Sequence, residues 1–200
     1  MTMLVGKPAP DFTCDVVLRD GSIEEEWTFS KAIQSKYALL FFYPLDFTFV
    51  CPSELIALDH RMAQFSKRNV EVVAISVDSA FTHNAWRNTP VSEGGIGPVG
   101  YTMAADLRHS VAQAYGIETD GGVAFRAAFL IDREGMVRSQ LVNDLPLGRN
   151  MDELLRLFDA LQFHETHGEV CPAGWQQGDA GMDATTTGVA AYLSKHSETL

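Results

Sequence analysis

Cys51 carries the most chemical information in the chain. It follows an apolar run, Tyr37 to Tyr43, and a short connection, and it stands directly before Pro52. Proline is favoured at the first position of a helix, so the spacing predicts Cys51 as the N-cap of a helix from about Pro52 to Lys67. A sulfur placed there meets unpaired backbone N–H groups and the positive end of the helix dipole, which favour a nucleophilic thiolate. An inert buried cysteine is the other reading of the same residue. The segment Cys51-Pro52-Ser53-Glu54 has no second cysteine where a dithiol oxidoreductase would carry one, so any disulfide partner comes from far along the chain. Cys14 sits in an early strand pattern, Asp11 to Leu18, and reads as a bystander. Cys171 lies between Val170 and Pro172, in a tail rich in Gly, Asp, Ala and Thr. His164, His167 and Cys171 have a spacing that a metal could use, but no fourth ligand is evident, and two histidines equally suit the carbonyl-rich end of a helix.

The elements around these residues alternate. Tyr37 to Tyr43 is apolar on both faces, the pattern of a central strand covered on both sides. Pro44 stops it. Leu55, Ile56, Leu58, Met62 and Phe65 follow helical spacing. Val70 to Val77 is the next buried strand, Phe81 to Asn88 a short helix, and Val91 to Val99, with Gly94, Gly95, Gly97 and Pro98, a loop. Leu107 to Tyr115 reads as helix with Gly116 as its cap. Phe125 to Ile131 and Met136 to Val142 flank Asp132-Arg133-Glu134-Gly135 as a hairpin, and Asp20-Gly21 marks an earlier one. Asn150 with Glu153 opens a helix to about His164, and a shorter helical pattern covers Val189 to His196. This order implies an α/β fold, a mixed sheet flanked by helices, over residues 1–165, followed by a C-terminal arm, 166–200.

Composition narrows the function classes. The 200 residues are 46% hydrophobic and 20% charged, ordinary for a globular protein. A formal net charge of −11 argues against nucleic acid or an anionic membrane as partner. No apolar run approaches the length of a membrane span, and no secretory signal pattern is visible, which predicts a cytoplasmic protein or else a mature chain whose signal was removed. Three scattered cysteines make a poor disulfide framework.

The segment Phe41-Phe42-Tyr43-Pro44-Leu45-Asp46-Phe47-Thr48-Phe49-Val50-Cys51-Pro52-Ser53-Glu54 resembles the active-site segment of the typical 2-Cys peroxiredoxins of the alkyl hydroperoxide reductase C type. The pattern Pro-x-x-x-Thr-x-x-Cys stands at Pro44, Thr48 and Cys51. Val-Cys-Pro-Ala-Gly-Trp stands at 170–175. Further matches are His83-Asn84-Ala85-Trp86, Arg126 with Phe129-Leu130-Ile131-Asp132, and 143–149 (Asn-Asp-Leu-Pro-Leu-Gly-Arg). The likeness runs from about Leu4 to the C-terminus.

This resemblance implies a thioredoxin-like fold and a thiol peroxidase acting on hydrogen peroxide and organic hydroperoxides. It implies Cys51 as the peroxidatic cysteine, Thr48 and Arg126 as the groups that hold thiolate and peroxide, and Pro44 as a shield against water. Glu54 and Arg149 would orient Arg126. Cys171 would be the resolving cysteine, supplied by the other subunit of a homodimer, with five dimers forming a decamer. No cofactor or metal is implied, because sulfur carries the redox change. Thioredoxin or a flavoprotein disulfide reductase would supply electrons. Gly94-Gly95-Ile96-Gly97 matches a loop that accompanies sensitivity to overoxidation in this family, whereas Tyr192-Leu193 replaces the usual Tyr-Phe pair, so an intermediate sensitivity is predicted. A chaperone-like holdase or assembly protein is the alternative from a different class, and a dithiol isomerase a third, disfavoured by the missing local cysteine pair. Trp86 and Trp175 read as packing residues.

Overall fold

The computed structural model describes residues 3–199. Strands β1 (Thr13–Val17) and β2 (Ile23–Thr28) form an antiparallel hairpin. Its turn is the expected one: Asp20 Oδ1 accepts from the backbone N–H and hydroxyl of Ser22, and Gly21 adopts a positive φ of 88°. After a single helical turn, α1 (Phe29–Ala32), comes β3 (Tyr37–Phe42), buried at all six positions. The helix expected from Pro52 to Lys67 divides into α2 (Cys51–Asp59) and α3 (Met62–Lys67). Between them Arg61 leaves helical geometry (φ −110°, ψ 3°), and its N–H closes a tighter turn on Leu58 O.

Strand β4 (Val70–Ser76) and helix α4 (Ala80–Asn88) follow, the helix capped by Ser79 Oγ, which accepts from Thr82 N. Strand β5 (Thr102–Ala105) is absent from the sequence reading. Thr-Met-Ala-Ala has weak strand propensity, and it is extended because β4 and β1 offer a ladder on either side. Helix α5 (Ser110–Ala114) is shorter than the periodicity suggests, because His109 enters the left-handed region (φ 61°) and blocks extension toward Leu107. Strands β6 (Arg126–Ile131) and β7 (Val137–Asn143) form the expected hairpin.

The seven strands lie in the order β2-β1-β5-β4-β3-β6-β7. Strands β3, β4 and β5 run parallel, joined by helical crossovers, while β6 and β7 on one side and β1 and β2 on the other are antiparallel additions. This is the mixed, helix-flanked sheet expected from the sequence. One face of the central strands, with Leu40, Phe42, Val73, Ile75, Ala127 and Phe129, joins Phe29 and Tyr115 in the core. The alternate residues Leu39, Phe41, Ala74 and Ala128 are also buried, which explains the unbroken apolar runs.

The chain divides into two compact units, one ending at Met151 and the other starting at Asp152. The division falls at the start of helix α6 (Met151–His167) rather than at its end. In the second unit, Val170 and Met182 form an antiparallel bridge, and helix α7 (Thr186–His196) is capped by Thr185 Oγ1, which accepts from Gly188 N. At Gly181 a Cβ would come within 2.6 Å of the Phe163 ring and 2.1 Å of Glu169 Oε2, so a side chain there would push both aside. Among the described residues no helix is long and apolar enough to cross a membrane.

Candidate active site

The site is built at the carboxyl end of β3. Tyr43 N still donates to Ile75 O, but Pro44 has no N–H to continue the ladder, and the chain turns away. The loop reaches Val50, whose carbonyl accepts from Ser53 N and Glu54 N. Val50, not Cys51, is therefore the N-cap, and Cys51 is the first helical residue, with Pro52 behind it in the first turn. The sulfur still lies in the first turn, at the positive end of the helix dipole, although Pro52 has no N–H and those of Ser53 and Glu54 are paired with Val50 O.

Cys51 is fully buried. Thr48 Oγ1 lies 3.0 Å from its Sγ and 2.7 Å from Leu45 O. The carbonyl can only accept, so the hydroxyl has one proton and two acceptors in reach. Toward a thiolate it can donate; toward a thiol it can accept the S–H while its own proton rests on Leu45 O.

Strand register brings Arg126 to the same place. Strand β6 is antiparallel to β3 with Ala128 opposite Phe41, so Arg126, two residues earlier, lies beside the loop that follows β3. Its Nη1 is 3.4 Å from Cys51 Sγ and 2.8 Å from Glu54 Oε2, and its Nε donates to Leu145 O at 2.6 Å. Glu54, one helical turn after Cys51, also accepts from Arg149: Oε1 from the backbone N–H (2.7 Å) and Nε (2.9 Å), Oε2 from Nη2 (3.0 Å). Arg149 Nη1 donates to Ala127 O at 2.6 Å, and its guanidinium carbon sits 3.3 Å over the Phe41 ring centroid.

Burial alone would raise the Glu54 carboxyl, but the hydrogen bonds and charge of Arg149, with the charge of Arg126, outweigh it and hold the group below its ordinary value. Two buried guanidiniums and one carboxylate leave one positive charge uncompensated. The Cys51 sulfur stands next to that surplus, so a thiolate makes the cluster neutral. The geometry can thus stabilise negative charge on sulfur and on an oxygen displaced beside it.

The structure therefore gathers Pro44, Thr48, Cys51, Glu54, Arg126 and Arg149 into one region, with Pro44 itself buried. Sequence reasoning missed the backbone acceptors Leu45 O, Leu145 O and Ala127 O, which carry no side-chain signal. It also missed Asp46, in the loop itself, and Tyr43, just before it, whose hydroxyl donates to Asp46 Oδ1; an acidic residue inside an apolar run was the available sign.

Cys171 lies in the second unit, partly buried, with Sγ 3.4 Å from Ala160 O. Desolvation raises its thiol, and the nearby charge of Arg156 opposes that rise. Arg156 is fixed by a two-pronged pair with Glu153 and donates to Trp175 O at 2.8 Å. Trp175 packs on Phe163, with ring centroids 4.8 Å apart. The histidines of the metal reading are bonded otherwise: His164 Nδ1 donates to Glu169 O and His167 Nδ1 to Phe163 O, the helix-end arrangement. Cys14 is desolvated by burial and further raised by Asp106, to about 12, so it remains a thiol at neutral pH.

Comparison with known proteins gives the same reading. Residues 5–140 match the model of the AhpC/TSA family, and residues 160–195 match that of the C-terminal domain of 1-Cys peroxiredoxin. The chain is 50% identical over 195 residues to alkyl hydroperoxide reductase C of Helicobacter pylori, covering 98% of each protein. It is 49% identical over 193 residues to peroxiredoxin-2 of Cricetulus griseus, covering 96% of each. The reduced 2-Cys peroxiredoxin of Plasmodium vivax superposes with a TM-score of 0.94 at 49% identity, over 96% of this chain and 100% of that one. A thioredoxin-like sheet, a buried thiol faced by a hydroxyl and a guanidinium, and likeness along nearly the whole length agree: the chain belongs to the AhpC/TSA family of peroxiredoxins and is a thiol-dependent peroxidase.

Proposed function

We propose that Cys51 is the peroxidatic thiol and Cys171 the resolving one, in a cycle that reduces hydrogen peroxide and organic hydroperoxides. The observation that carries this reading is the pair of donors converging on one buried sulfur, Thr48 Oγ1 at 3.0 Å and Arg126 Nη1 at 3.4 Å. The Cys51 thiolate attacks the terminal peroxide oxygen. An S–O bond forms, the O–O bond breaks, and the displaced alkoxide or hydroxide takes a proton from solvent, leaving Cys51 as sulfenic acid. Thr48 and Arg126 hold charge as it moves from sulfur to the leaving oxygen; Pro44 keeps water from the pocket; Glu54 and Arg149 keep Arg126 aimed.

The partner subunit's Cys171 then condenses with the sulfenic acid. The S–S bond forms, the S–OH bond breaks, and water leaves. A dithiol donor, thioredoxin or a flavoprotein disulfide reductase, reopens the disulfide by exchange. A homodimer, assembled as a decamer of five dimers, and a cytoplasmic location complete the proposal. A reducing compartment suits a disulfide reopened in every turnover. Overoxidation of Cys51 to sulfinic acid at intermediate peroxide levels also fits. Gly95 lies where a Cβ would meet Thr89 O at 1.9 Å, so this tight loop tolerates no side chain, while Leu193 beside Tyr192 is exposed.

The deciding experiment is non-reducing electrophoresis after one equivalent of hydrogen peroxide. A covalent dimer in wild type that is absent in Cys171→Ser supports the intersubunit disulfide. Peroxide consumption without any dimer band overturns the role of Cys171 and leaves that of Cys51 standing.

A further inference from the structure

Beside the thiol site lies a buried polar cluster that the reaction chemistry does not use. His83, on α4, is completely buried, and Asp46, in the loop between Pro44 and Thr48, is nearly so. His83 Nδ1 meets Asp46 Oδ2 at 2.7 Å, and His83 Nε2 meets Ala104 O at 3.2 Å. Asp46 Oδ1 accepts from Tyr43 Oη at 2.7 Å, and Asp46 N donates to Asp78 Oδ2 at 2.8 Å. Asp78 Oδ2 also accepts from Ser76 Oγ at 2.7 Å.

Ala104 O can only accept, so Nε2 carries a proton. Whichever of Nδ1 and Oδ2 holds the next one, the bond between them persists. Burial, then the charge of Asp46, push the Tyr43 hydroxyl well up, so it remains a donor.

Asp46 directly follows Leu45, whose carbonyl fixes Thr48 Oγ1. The same loop carries Phe47 in a left-handed conformation (φ 53°), which bulky residues adopt only when their surroundings impose it. We propose that His83 is a positioning residue for peroxide reduction: acting through Asp46, it anchors the loop that presents Thr48 to Cys51. The side chain touches neither sulfur nor substrate. It ties the loop to α4 and β5, elements that the sheet holds in place. An ångström of drift at Thr48 is costly because the hydroxyl serves the reaction only within hydrogen-bond reach of sulfur.

This inference rests on the peroxidase cycle proposed above, and its test separates the two. The amide nitrogen of asparagine falls near Nδ1 of histidine, and that of glutamine near Nε2. His83→Asn therefore keeps the bond to Asp46, and His83→Gln keeps only the bond to Ala104. The rate of Cys51 oxidation by hydrogen peroxide, kcat/KM and thermal midpoint are measured for both, beside wild type and Cys51→Ser. The expected result is a loss of about tenfold in the oxidation rate for His83→Gln and recovery to within about threefold of wild type for His83→Asn, with similar thermal midpoints for the two. Equal rates in the two variants, or a wild-type rate in His83→Gln, overturn the inference. A wild type that consumes no more peroxide than Cys51→Ser overturns the cycle instead. If the His83 variants do not fold, Tyr43→Phe removes the other bond to the Asp46 carboxylate while keeping the ring. A loss of about threefold in the oxidation rate is then expected, and an unchanged rate refutes the anchor.

Discussion

The two cysteines assigned to the redox cycle live in opposite environments. Cys51 is wholly buried on a helix start, with a hydroxyl and a guanidinium within bonding reach and a surplus positive charge beside it. Cys171 is partly exposed, contacts a helix carbonyl, and has its thiol raised by desolvation, with Arg156 opposing. The contrast fits a division of labour. A nucleophile toward peroxide needs stabilised charge before and during displacement, whereas a thiol that condenses with a sulfenic acid needs access above all. The supporting arginines differ likewise: Arg126 points at sulfur, while Arg156 is spent on Glu153 and on Trp175 O, holding the arm together.

The largest test of that contrast is removal of each sulfur. Cys51→Ser is expected to lower peroxide consumption by about 10⁴-fold or more, as loss of a nucleophile does. Cys171→Ser should keep the first turnover at the wild-type rate and fail on recycling; stopped-flow against steady-state measurement reads both, and a lost first turnover would break the comparison. Next come the arginines. Arg126→Ala should lower kcat/KM for peroxide by about 10²–10³-fold, the range for a lost donor to a developing anion. Arg156→Ala should leave the rate of Cys51 oxidation unchanged.

Glu54→Gln sharpens the electrostatic side. Removing the carboxylate from between two buried guanidiniums should cost about 3 kcal/mol of stability at neutral pH. Because the Glu54 carboxyl is held below its ordinary value in the folded protein, its contribution is fully present above the unfolded-state value and is lost as pH falls through the folded one. Wild type and variant should therefore converge in denaturant midpoint only in strong acid, and a gap that persists there would count against this account. The smallest effect belongs to Cys14. As a desolvated thiol it should be the slowest of the three to alkylate, and Cys14→Ala should cost about 1 kcal/mol in stability with unchanged activity.

Much of the site was legible because chemistry and local structure coincide in the sequence. Pro52 after Cys51 announces a helix start, and the doubly apolar Tyr37–Tyr43 run announces a covered strand. The one-residue error at the N-cap arose because Val50 O closes the first turn, which side-chain identity does not reveal. Strand β5 escaped because its extended form is imposed by β1 and β4. The break at Arg61 escaped because the apolar period runs through it.

The sequence by itself singled out Cys51 as the candidate nucleophile, showed no neighbouring second thiol and carried the family resemblance, since these depend on residue type and short spacing. Only the tertiary structure decided that Arg126 reaches Cys51, that Glu54 joins two arginines and that His83 meets Asp46. Those contacts link residues far apart in the chain, and strand register, backbone acceptors and shared burial set them. None of the three is written in local periodicity.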